Sequence, residues 1–402
     1  MSGIVIVGAG QAAASAAARL RTGGFDGPIT LVGDEPVPPY QRPPLSKGYL
    51  LGEMSLERML LRPEAFWAEA GVRLRLGTPA AAIDRDQRRL RLADGETIPY
   101  RTLILATGAA PRRIPAEKNG DLAGVYTVRR LADVTAMTPE FRPGARLVVV
   151  GGGYVGLEAA AVARKLGLHV VLVEAAPRIL GRVASEATAD ALRMLHQGQG
   201  VQLIEGMGLE RLEGADGRVS AVRLADGRLL PCDFVIAGIG AEPVTALAEA
   251  AGLSVSNGIV VDEYGGTSDP AIWAAGDCAA FPLGERRIRL ESVGNAVDMG
   301  DLVAANILGA GQPYMPKPWF WSDQYDAKLQ IAGLGQGADT HVLRPGPSGQ
   351  SVWCFRGREL LAVEALNDPR AYMIGRRLIE AGRHPAPAAI ADTATDLKEL
   401  LA

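Results

Sequence analysis

The first segment whose spacing suits a chemical task is a glycine pattern, GxGxxA, made by Gly8, Gly10 and Ala13. It follows a β-branched run and precedes an alanine-rich stretch, so it predicts a strand-to-helix turn. In such a turn the first glycine permits a tight bend, the second lets backbone amides approach a pyrophosphate, and the small third residue allows close helix packing. Asp34 follows the next apolar run, where a carboxylate accepts hydrogen bonds from an adenosine ribose. We predict a dinucleotide site here, with a ligand-free turn as the alternative.

The pattern occurs a second time, as GxGxxG, at Gly151, Gly153 and Gly156. The apolar run after it ends in Glu174. A glutamate at that point binds the ribose 2′-hydroxyl and repels a 2′-phosphate, which favours NADH over NADPH. Two nearby cations weaken this preference: Arg178 and Arg182.

Two further strand-like segments indicate which nucleotide binds to which loop. They are Thr102–Gly108 and Ile272–Asp277, and the whole second glycine unit lies between them. A chain that leaves one domain, builds another and returns makes the first domain discontinuous. Asp277 would then lie over the first nucleotide, where a carboxylate can bind a ribityl hydroxyl. These segments favour FAD on the first loop and NADH on the second.

The elements that must position these loops are β-branched runs alternating with alanine-rich helical runs. The two predicted strand-helix-strand sets are Ile4–Val7, Ala12–Arg21 and Ile29–Val32, then Leu147–Val150, Gly156–Leu166 and Val170–Val173. Strands that are apolar on both sides are typical of a parallel sheet covered by helices on both faces. The pattern therefore predicts an α/β fold with two Rossmann-like dinucleotide-binding domains.

A third region begins near Pro316 and reads as an α+β domain. Its predicted elements are antiparallel strands, a helix and a loosely packed Pro/Ala-rich segment: Lys328–Gly333, Ser351–Phe355, Glu359–Ala365, Pro369–Ala381 and His384–Ala391. We predict a FAD-binding domain from residues 1–110 and 237–316, a NAD-binding domain from residues 111–236, and a C-terminal α+β domain from residues 317–402.

Composition limits the classes of function. A formal net charge of −3 on 402 residues argues against general attraction to nucleic acid or to an anionic membrane. Three widely spaced cysteines, Cys232, Cys278 and Cys354, form no CxxC or CxxxxC pair, so they predict no disulfide framework, metal site or redox dithiol. The sequence has no signal-peptide pattern and no apolar run of about 18 residues, so we expect a cytoplasmic protein.

Several longer segments carry a resemblance to a known family. They are PYQRPPLSK (Pro39–Lys47), ATGAAPR (Ala106–Arg112), GGGYVGLE (Gly151–Glu158), AAGDCA (Ala274–Ala279) and PWFWSDQYDAKLQIAG (Pro318–Gly333). Together the sequence resembles the FAD- and NAD-dependent pyridine-nucleotide oxidoreductases, and among them the ferredoxin reductases of bacterial oxygenase systems. The resemblance spans almost the whole chain and implies a glutathione-reductase-like arrangement of two nucleotide domains and a C-terminal domain.

The resemblance also implies cofactor contacts at matching positions. The residues expected to contact FAD are Arg42, Lys47, Ala80, Thr107, Arg129, Asp277, Val293 and Trp321. Those expected to line the NADH site are Gly151, Gly153, Tyr154, Gly156, Glu158, Glu174, Arg182 and Gly240. Ala80 is the weakest of these matches, because its strand has diverged to GTPAAA.

Lys47, Glu158, Glu291 and Trp321 are the predicted catalytic residues. The resemblance places Lys47 beside Glu158, so each stabilises the charged form of the other, and a buried cation would stabilise the anionic reduced flavin. Trp321 is expected to shield the flavin ring. Glu291 has two interpretations, contact with the nicotinamide or an ion pair with Arg289. For Tyr154 we consider a gate over the flavin and simple packing.

The expected electron acceptor is a one-electron carrier. No cysteine precedes Cys232, so the thiol that disulfide reductases of this fold use is absent. A [2Fe–2S] ferredoxin serving a cytochrome P450 or a ring-hydroxylating dioxygenase is the expected partner, and such ferredoxins are acidic. The predicted docking cations are Arg287, Arg289, Lys328, Arg356, Arg358, Arg370, Arg376 and Arg377.

Other functions and assemblies remain open at this stage. One is an NADH oxidase or quinone reductase, and another is an NADH-responsive flavoprotein similar to apoptosis-inducing factor. We expect no nucleic-acid, membrane or metal partner, and a monomer or weak dimer.

Overall fold

Residues 3–401 are described by a computed structural model, in which the chain forms two compact units. The first unit comprises residues 3–42, 54–110 and 241–316. The second unit comprises residues 43–53, 111–240 and 317–401. The segment 43–53, which carries Lys47, therefore belongs to the second unit although first-unit residues flank it.

A seven-stranded sheet forms the centre of the first unit. In spatial order its strands are Val72–Arg75, Ile29–Val32, Gly3–Val7, Thr97–Leu105, Arg89–Leu92 and Ala80–Asp84, and Ile272–Ala274 also pairs with Thr97–Leu105. The pairings around Gly3–Val7 are parallel, and the two that lead out to Ala80–Asp84 are antiparallel. Parallel strands covered on both faces need apolar side chains throughout, and every residue of Gly3–Val7 and Ile29–Val32 is buried.

Helices and two smaller sheets complete the first unit. The helices are Gln11–Thr22, Leu56–Met59, Glu64–Glu69, Ala246–Ala250 and Val293–Ile307, with a 3₁₀ turn at Gly276–Cys278. The small sheets are formed by Ile259–Val260, Ala279–Leu283 and Arg286–Ile288, and by Ala109–Pro111 with Ala241–Pro243. Gln11–Thr22 and Val293–Ile307 approach closely because both helices carry small residues, and a Cβ on Gly300 would lie 2.5 Å from the Ala12 carbonyl oxygen.

The second unit contains a parallel sheet of five strands with a three-stranded antiparallel sheet. The parallel strands in spatial order are Gln202–Ile204, His169–Val173, Arg146–Val150, Phe234–Ala237 and Val125–Tyr126. The antiparallel strands are Leu209–Ala215, Arg218–Leu224 and Leu229–Pro231. The helical segments are Pro43–Ser46, Ala116–Lys118, Leu131–Met137, Thr138–Glu140, Tyr154–Lys165 and Glu186–Gly198.

The C-terminal part of the second unit is a five-stranded antiparallel sheet with a helix packed on it, as the sequence predicts. In spatial order the strands are Trp319–Gln324, Ala327–Gly333, Glu359–Leu366, Gln350–Arg356 and Thr340–Pro345. Helix Pro369–Glu380 buries one face on this sheet, and its N-cap Asp368 accepts a hydrogen bond from the Ala371 amide. These findings confirm the predicted fold class, α/β nucleotide-binding sheets followed by an α+β region.

The expectation that His384–Ala391 packs loosely is wrong. Residues Pro387–Ala391 form a short helix, Ile390 is fully buried, and a 3₁₀ turn follows at Leu397–Leu401. The buried guanidinium of Arg344 donates hydrogen bonds to the carbonyls of Ile390, Asp392, Thr393 and Thr395. Composition could not predict this, because the anchor lies on a strand more than forty residues earlier. Within residues 3–401, no helix combines the length and the apolarity that crossing a bilayer requires.

Candidate functional site

The first glycine loop has the geometry that its sequence predicts. Gly8 has a φ of 122°, and a Cβ there would lie 2.1 Å from the Ala106 carbonyl oxygen, so only glycine fits. Gly10 is the N-cap of helix Gln11–Thr22 and has open space around it, with nothing within 4 Å of an added Cβ. Ala13 is fully buried against the sheet. The first turn of this helix contains no acidic residue, so its amides face open space without a competing carboxylate.

The second glycine loop repeats this geometry almost residue for residue. Gly151 has a φ of 107°, and a Cβ there would lie 2.4 Å from the Gly238 carbonyl oxygen. Gly153 is the N-cap of helix Tyr154–Lys165 and has only that same oxygen nearby, at 4.0 Å from an added Cβ. On Gly156 an added Cβ would lie 2.1 Å from the Gly151 carbonyl oxygen, so the third glycine is required for helix packing. One chain therefore carries two turns built to admit a phosphate.

The acids near the two loops differ in what they contact. Glu174 accepts hydrogen bonds from the amides of Gly152 at 2.6 Å and Ala176 at 2.7 Å, so its carboxylate lies against the second glycine loop. Asp34 is exposed and follows its strand by two residues. The Gly33 amide donates to the last residue of the neighbouring strand, Arg75, just as the Glu174 amide donates to Ile204. In backbone position, Gly33 and not Asp34 therefore corresponds to Glu174.

Glu35 is a buried acid near the first loop that sequence reasoning missed. Its carboxylate accepts hydrogen bonds from the Tyr40 hydroxyl at 2.7 Å and from the Arg42 guanidinium at 2.8 Å. The Arg42 guanidinium also lies over the Tyr40 ring, 5.1 Å from its centroid. Burial lowers the pKa of Arg42 but Tyr40 and Glu35 more than offset this, so its pKa is raised and its positive charge is secure. These contacts hold the predicted FAD residue Arg42 in one orientation.

The second unit contains a buried ion pair between Lys47 and Glu158, with Nζ and Oε1 3.0 Å apart. Only 18% of the Lys47 side chain and 5% of the Glu158 side chain are exposed. The hydroxyls of Ser46 and Ser322 donate to the two Glu158 oxygens at 2.6 and 2.7 Å. Burial raises the pKa of Glu158 above its usual range, and Lys47 with the two serine hydroxyls offsets only part of this rise.

The ion pair depends on local geometry at both ends. Ser46 closes the 3₁₀ turn Pro43–Ser46, and Lys47 follows it, so consecutive residues present a hydroxyl and an ammonium to one carboxylate. Glu158 lies in the second turn of helix Tyr154–Lys165, directly after the glycine loop. Sequence reasoning selected Lys47 and Glu158 but missed both serines, which lie within the segments RPPLSK and WSDQ.

The remaining predicted residues of the first unit lie on four different segments. Thr107 donates to the Val244 carbonyl at 2.6 Å, and Asp277 lies in the turn Gly276–Cys278. Val293 begins the helix capped by Ser292, and Ala80 begins a strand of the large sheet. The cofactor contacts of these four residues remain predictions.

For Glu291 the structure contains the ion pair with Arg289, whose Nη1 lies 2.5 Å from Glu291 Oε1. The same guanidinium atom donates to the backbone carbonyl of Asp277 at 3.0 Å. Arg289 therefore connects two residues that were predicted separately. Contact between Glu291 and a nicotinamide remains a prediction.

Aromatic residues surround the predicted nicotinamide loop in the second unit. The ring of Tyr154 lies 4.4 Å from that of Phe320, and its hydroxyl is 3.4 Å from the Val183 carbonyl. Trp321 stacks on Trp319, with ring centroids 5.4 Å apart and planes inclined by 20°. Tyr154 is thus packed in this structure, which is one of its two interpretations.

Arg129, Arg182 and Gly240 were also predicted to contact nucleotide, and these contacts stay predictions. The Arg129 amide donates to Asp133 at 2.9 Å, Arg182 is exposed, and Gly240 has a φ of 103°. In contrast, Arg178 donates to the carbonyls of Ile179, Ala184 and Ser185 and thus stabilises its own loop.

Comparison with known proteins identifies relatives of this fold and site. Residues 2–300 match the family described as pyridine nucleotide-disulphide oxidoreductase, and residues 319–401 match the reductase C-terminal family. The rhodocoxin reductase of Rhodococcus erythropolis is 45% identical over 99% of this chain and 94% of the relative.

Two solved structures are similar over their whole length. The crystal structure of the ferredoxin reductase for the CYP199A2 system of Rhodopseudomonas palustris has a TM-score of 0.96 and 38% identity, with 100% of both chains covered. The reductase in the covalent putidaredoxin reductase-putidaredoxin complex has a TM-score of 0.95 and 39% identity, covering 100% of this chain and 98% of that one.

Proposed function

This chain belongs to the pyridine nucleotide-disulphide oxidoreductase family, and from that premise we propose that it is an NADH-dependent flavoprotein reductase acting on a [2Fe–2S] ferredoxin of an oxygenase system. The observation that carries the proposal is the pair of glycine turns with the same geometry, at Gly8 and Gly151, in one chain. Two turns hold two dinucleotides, so this protein joins a hydride donor to a flavin. The relatives named rhodocoxin reductase and ferredoxin reductase support the same reaction.

The first loop fits the pyrophosphate of FAD. Open space at Gly10 and an uncapped helix N-terminus without acidic residues leave backbone amides available to an anion. Around this loop, we propose that Asp34, Arg42 and Asp277 hold the adenosine and ribityl parts of FAD. When bound, the flavin accepts a hydride and releases electrons one at a time.

The second loop fits NADH. Gly153 leaves the same open space, and Glu174 lies against the loop, where its charge repels a 2′-phosphate. Arg178 donates to three carbonyls of its own loop, so its N–H groups are less available to bind a 2′-phosphate. These contacts support the proposed preference for NADH over NADPH.

The buried ion pair Lys47–Glu158 is the group that we propose stabilises the negative charge of the reduced flavin, and no thiol takes part. We propose that Lys47 places a positive charge where the reduced flavin becomes anionic, and that Glu158 keeps that ammonium charged and orients the nicotinamide. Thiol chemistry has no candidate nucleophile, since the three cysteines of the sequence are buried and free. Burial raises the pKa of all three thiols, that of Cys232 to about 12, so none forms a thiolate near neutral pH.

The proposed docking surface for the acidic ferredoxin contains fewer available cations than the eight that the sequence predicts. Four of the predicted cations are engaged by neighbouring carboxylates: Arg289 with Glu291, Arg356 with Glu359, Arg370 with Asp396, and Arg376 with Glu380. Arg287 donates to the carbonyls of Val261 and Ala280. Lys328, Arg358 and Arg377 are exposed and form no ion pair with any residue of 3–401, so we assign the docking role to these three first.

The proposed organisation follows from the cofactor assignment. Residues 1–110 and 237–316 would form the FAD-binding domain, residues 111–236 the NAD-binding domain, and residues 317–402 the C-terminal domain. A cytoplasmic location and a monomer or weak dimer are part of the same proposal, and three unpaired thiols suit a reducing compartment.

The experiment that tests this function compares the purified protein with its Lys47→Met variant in stopped flow. The wild-type protein should bind FAD, bleach on anaerobic mixing with NADH and then reduce a [2Fe–2S] ferredoxin. Lys47→Met should retain FAD but slow NADH-driven flavin reduction by at least about tenfold, because the buried cation contributes more than about 1.4 kcal/mol to the transition state. An unchanged rate would remove Lys47 from the mechanism. Fast oxygen consumption without ferredoxin would instead identify an NADH oxidase.

A further inference from the structure

A continuous chain of buried polar side chains extends from Glu158 away from Lys47. Ser322 Oγ lies 2.7 Å from Glu158 Oε1, and Gln324 Nε2 lies 3.0 Å from Ser322 Oγ. On its other side, Gln324 Oε1 lies 2.8 Å from His196 Nε2. Ser322, Gln324 and His196 are each at most 1% exposed, so water does not satisfy these groups.

The charge on Glu158 fixes the direction of every hydrogen bond in this chain. A carboxylate only accepts, so Ser322 must give its single hydroxyl hydrogen to Glu158. Ser322 Oγ then accepts from the amide NH₂ of Gln324, which leaves the Gln324 carbonyl oxygen facing His196. His196 Nε2 must therefore carry a hydrogen.

The other side of His196 fits this assignment. Its Nδ1 faces the Tyr325 hydroxyl at 3.5 Å, and the two rings meet edge to face with centroids 5.2 Å apart. Burial lowers the pKa of His196, which favours a neutral ring with one N–H and one acceptor nitrogen. The neutral Nε2–H tautomer satisfies both neighbours.

The opposite arrangement has a definite cost. If Nε2 of His196 lacked a hydrogen, the Gln324 amide would turn its NH₂ toward the ring and its oxygen toward Ser322. Ser322 would then donate to Gln324, and Glu158 would lose one of its two hydroxyl donors. The position of the proton on His196 thus decides how many hydroxyl hydrogen bonds the Glu158 carboxylate accepts.

The fold holds His196 firmly in this position. His196 lies near the end of helix Glu186–Gly198, whose N-cap Ser185 donates its amide and hydroxyl to the buried carboxylate of Glu364. Gln324 and Glu364 both belong to strands of the C-terminal sheet. The sheet therefore binds this helix at both ends and leaves the ring little freedom to rotate.

We propose that His196 is a positioning residue for the Lys47–Glu158 pair, acting through Gln324 and Ser322 to fix the direction of the hydrogen bonds that reach the carboxylate. It contacts neither lysine nor glutamate and so is not a catalytic residue. The inference rests on the proposed role of Glu158 in orienting the nicotinamide, which it extends to the interior of the second unit.

The first test measures the tautomer directly, by ¹⁵N NMR of the FAD-loaded protein labelled at histidine. The chain has four histidines, and the signal of His196 is assigned by its loss in His196→Gln. The expected spectrum is a neutral ring with hydrogen on Nε2. A neutral ring with its hydrogen on Nδ1 at neutral pH would overturn the proposal whatever reaction the protein catalyses.

The second test removes the donor and then restores it. His196→Leu should weaken NAD⁺ binding to the oxidised protein and slow flavin reduction by NADH by about tenfold, the effect of losing one hydrogen bond to a charged group. In difference infrared spectra this variant should gain the carbonyl stretch of a protonated carboxyl, and that band should vanish when Glu158→Gln is added. His196→Gln offers an amide N–H to Gln324 and should recover most of the binding and rate.

Leu192→Val is the matched control, since Leu192 is an apolar residue buried on the same helix one turn earlier. It should leave NAD⁺ affinity and the infrared spectrum unchanged. Should His196→Leu fail to fold, the isosteric Gln324→Glu replaces it, because a carboxylate there takes the Ser322 hydrogen away from Glu158. Equal losses in His196→Leu and His196→Gln, or in Leu192→Val, would show that His196 serves packing alone.

Discussion

At the scale of single residues, Glu174 is the side chain that we expect to set the coenzyme preference of the second loop. Glu174 has its two oxygens on the amides of Gly152 and Ala176, so its charge is fixed beside the glycine turn before any coenzyme arrives. The N–H groups of Arg178 are occupied by carbonyl oxygens and are less available to a 2′-phosphate. We therefore expect the folded loop to set the coenzyme preference without rearranging on binding.

Glu174→Ala should raise the KM for NADH about tenfold, because the ribose loses a charged acceptor worth about 1.5 to 3 kcal/mol. Activity with NADPH should rise, or fall less, because repulsion of the 2′-phosphate disappears. The measurement is kcat/KM with each coenzyme. Glu210→Ala, at an exposed acid of the three-stranded sheet, is the control and should change neither value. An NADH-to-NADPH ratio unaltered by Glu174→Ala would exclude this carboxylate from coenzyme selection.

The sequence predicted individual residues well where a motif fixes their place, and poorly where a contact depends on distant elements. Lys47 and Glu158 lie together at 3.0 Å, as the resemblance implied. The donors that solvate Glu158 were missed, because a serine carries no signal until the fold brings it to an acid. His196 was missed for the same reason, since an isolated histidine on a helix has many ordinary uses.

At the scale of elements, each glycine loop contains two kinds of glycine. The first glycine is needed for the turn itself, and the second leaves the space in which we expect the ligand to bind. Gly151 cannot carry a side chain without striking the Gly238 carbonyl, whereas Gly153 faces open space. The same division holds for Gly8 and Gly10. Substituting the first glycine should therefore affect folding, whereas substituting the second should affect ligand binding.

Gly153→Ala should fold normally and retain FAD, yet raise the KM for NADH at least about tenfold, because the added methyl occupies the phosphate cradle. Gly151→Ala should lower the melting temperature, since an alanine at a φ of 107° is strained and strikes backbone. Gly198→Ala, where an added Cβ meets nothing within 4 Å, is the control and should leave NADH binding intact. Normal NADH affinity in Gly153→Ala would argue against nucleotide binding at this loop.

The C-terminal segment is an element that depends on one distant side chain. Arg344 donates to four carbonyls between Ile390 and Thr395, and its side chain is buried with them. Strand and helix patterns predicted the preceding sheet and helix correctly because periodicity is local. The anchoring of residues 387–397 escaped prediction because a Pro/Ala-rich composition gives no sign of a buried cation elsewhere.

Arg344→Leu should destabilise the protein by about 3 kcal/mol or more, because buried carbonyls lose charged donors. Brief proteolysis should then cut first within residues 384–397, and thermal unfolding should shift downward. The matched variant is Arg358→Leu, at an exposed arginine of the same antiparallel sheet, for which no more than about 0.5 kcal/mol is expected. Resistance to proteolysis in Arg344→Leu would mean that apolar contacts such as Ile390 suffice.

At the scale of the whole molecule, the surface charge available to an acidic partner is set by which arginines are already neutralised. Ion pairs engage Arg356, Arg370 and Arg376, whereas Lys328, Arg358 and Arg377 keep a full exposed charge. Long-range attraction depends on net charge, so the second group should dominate association.

Lys328→Glu, Arg358→Glu and Arg377→Glu should each raise the KM for ferredoxin several-fold, with the largest effect at low ionic strength. NADH oxidation with ferricyanide, which needs no protein partner, should not change. Arg228→Glu, on an exposed turn of the three-stranded sheet, is the control for charge reversal as such. If the three variants and Arg228→Glu gave the same ferredoxin KM, docking would have to be assigned to another surface.

The fold class and the antiparallel C-terminal sheet were predictable from alternating apolar patterns and glycine motifs. The assignment of residues 43–53 to the second unit was not. A segment of eleven residues has too little periodicity to show which core it joins, and only the pairing of Lys47 with Glu158 and the packing of Pro43–Ser46 on helix Tyr154–Lys165 decide it.

This threading of the chain sets an order for folding during synthesis on the ribosome. Residues 111–240 are the longest stretch that stays in one unit, so they can collapse as soon as they emerge. The strand Gly3–Val7 is made almost first, but the sheet around it lacks Ile272–Ala274 until translation has passed residue 274. During synthesis the parallel sheet of the first unit therefore stays incomplete while residues 111–240 can already fold. We expect chaperones to bind mainly to the N-terminal hundred residues during this interval.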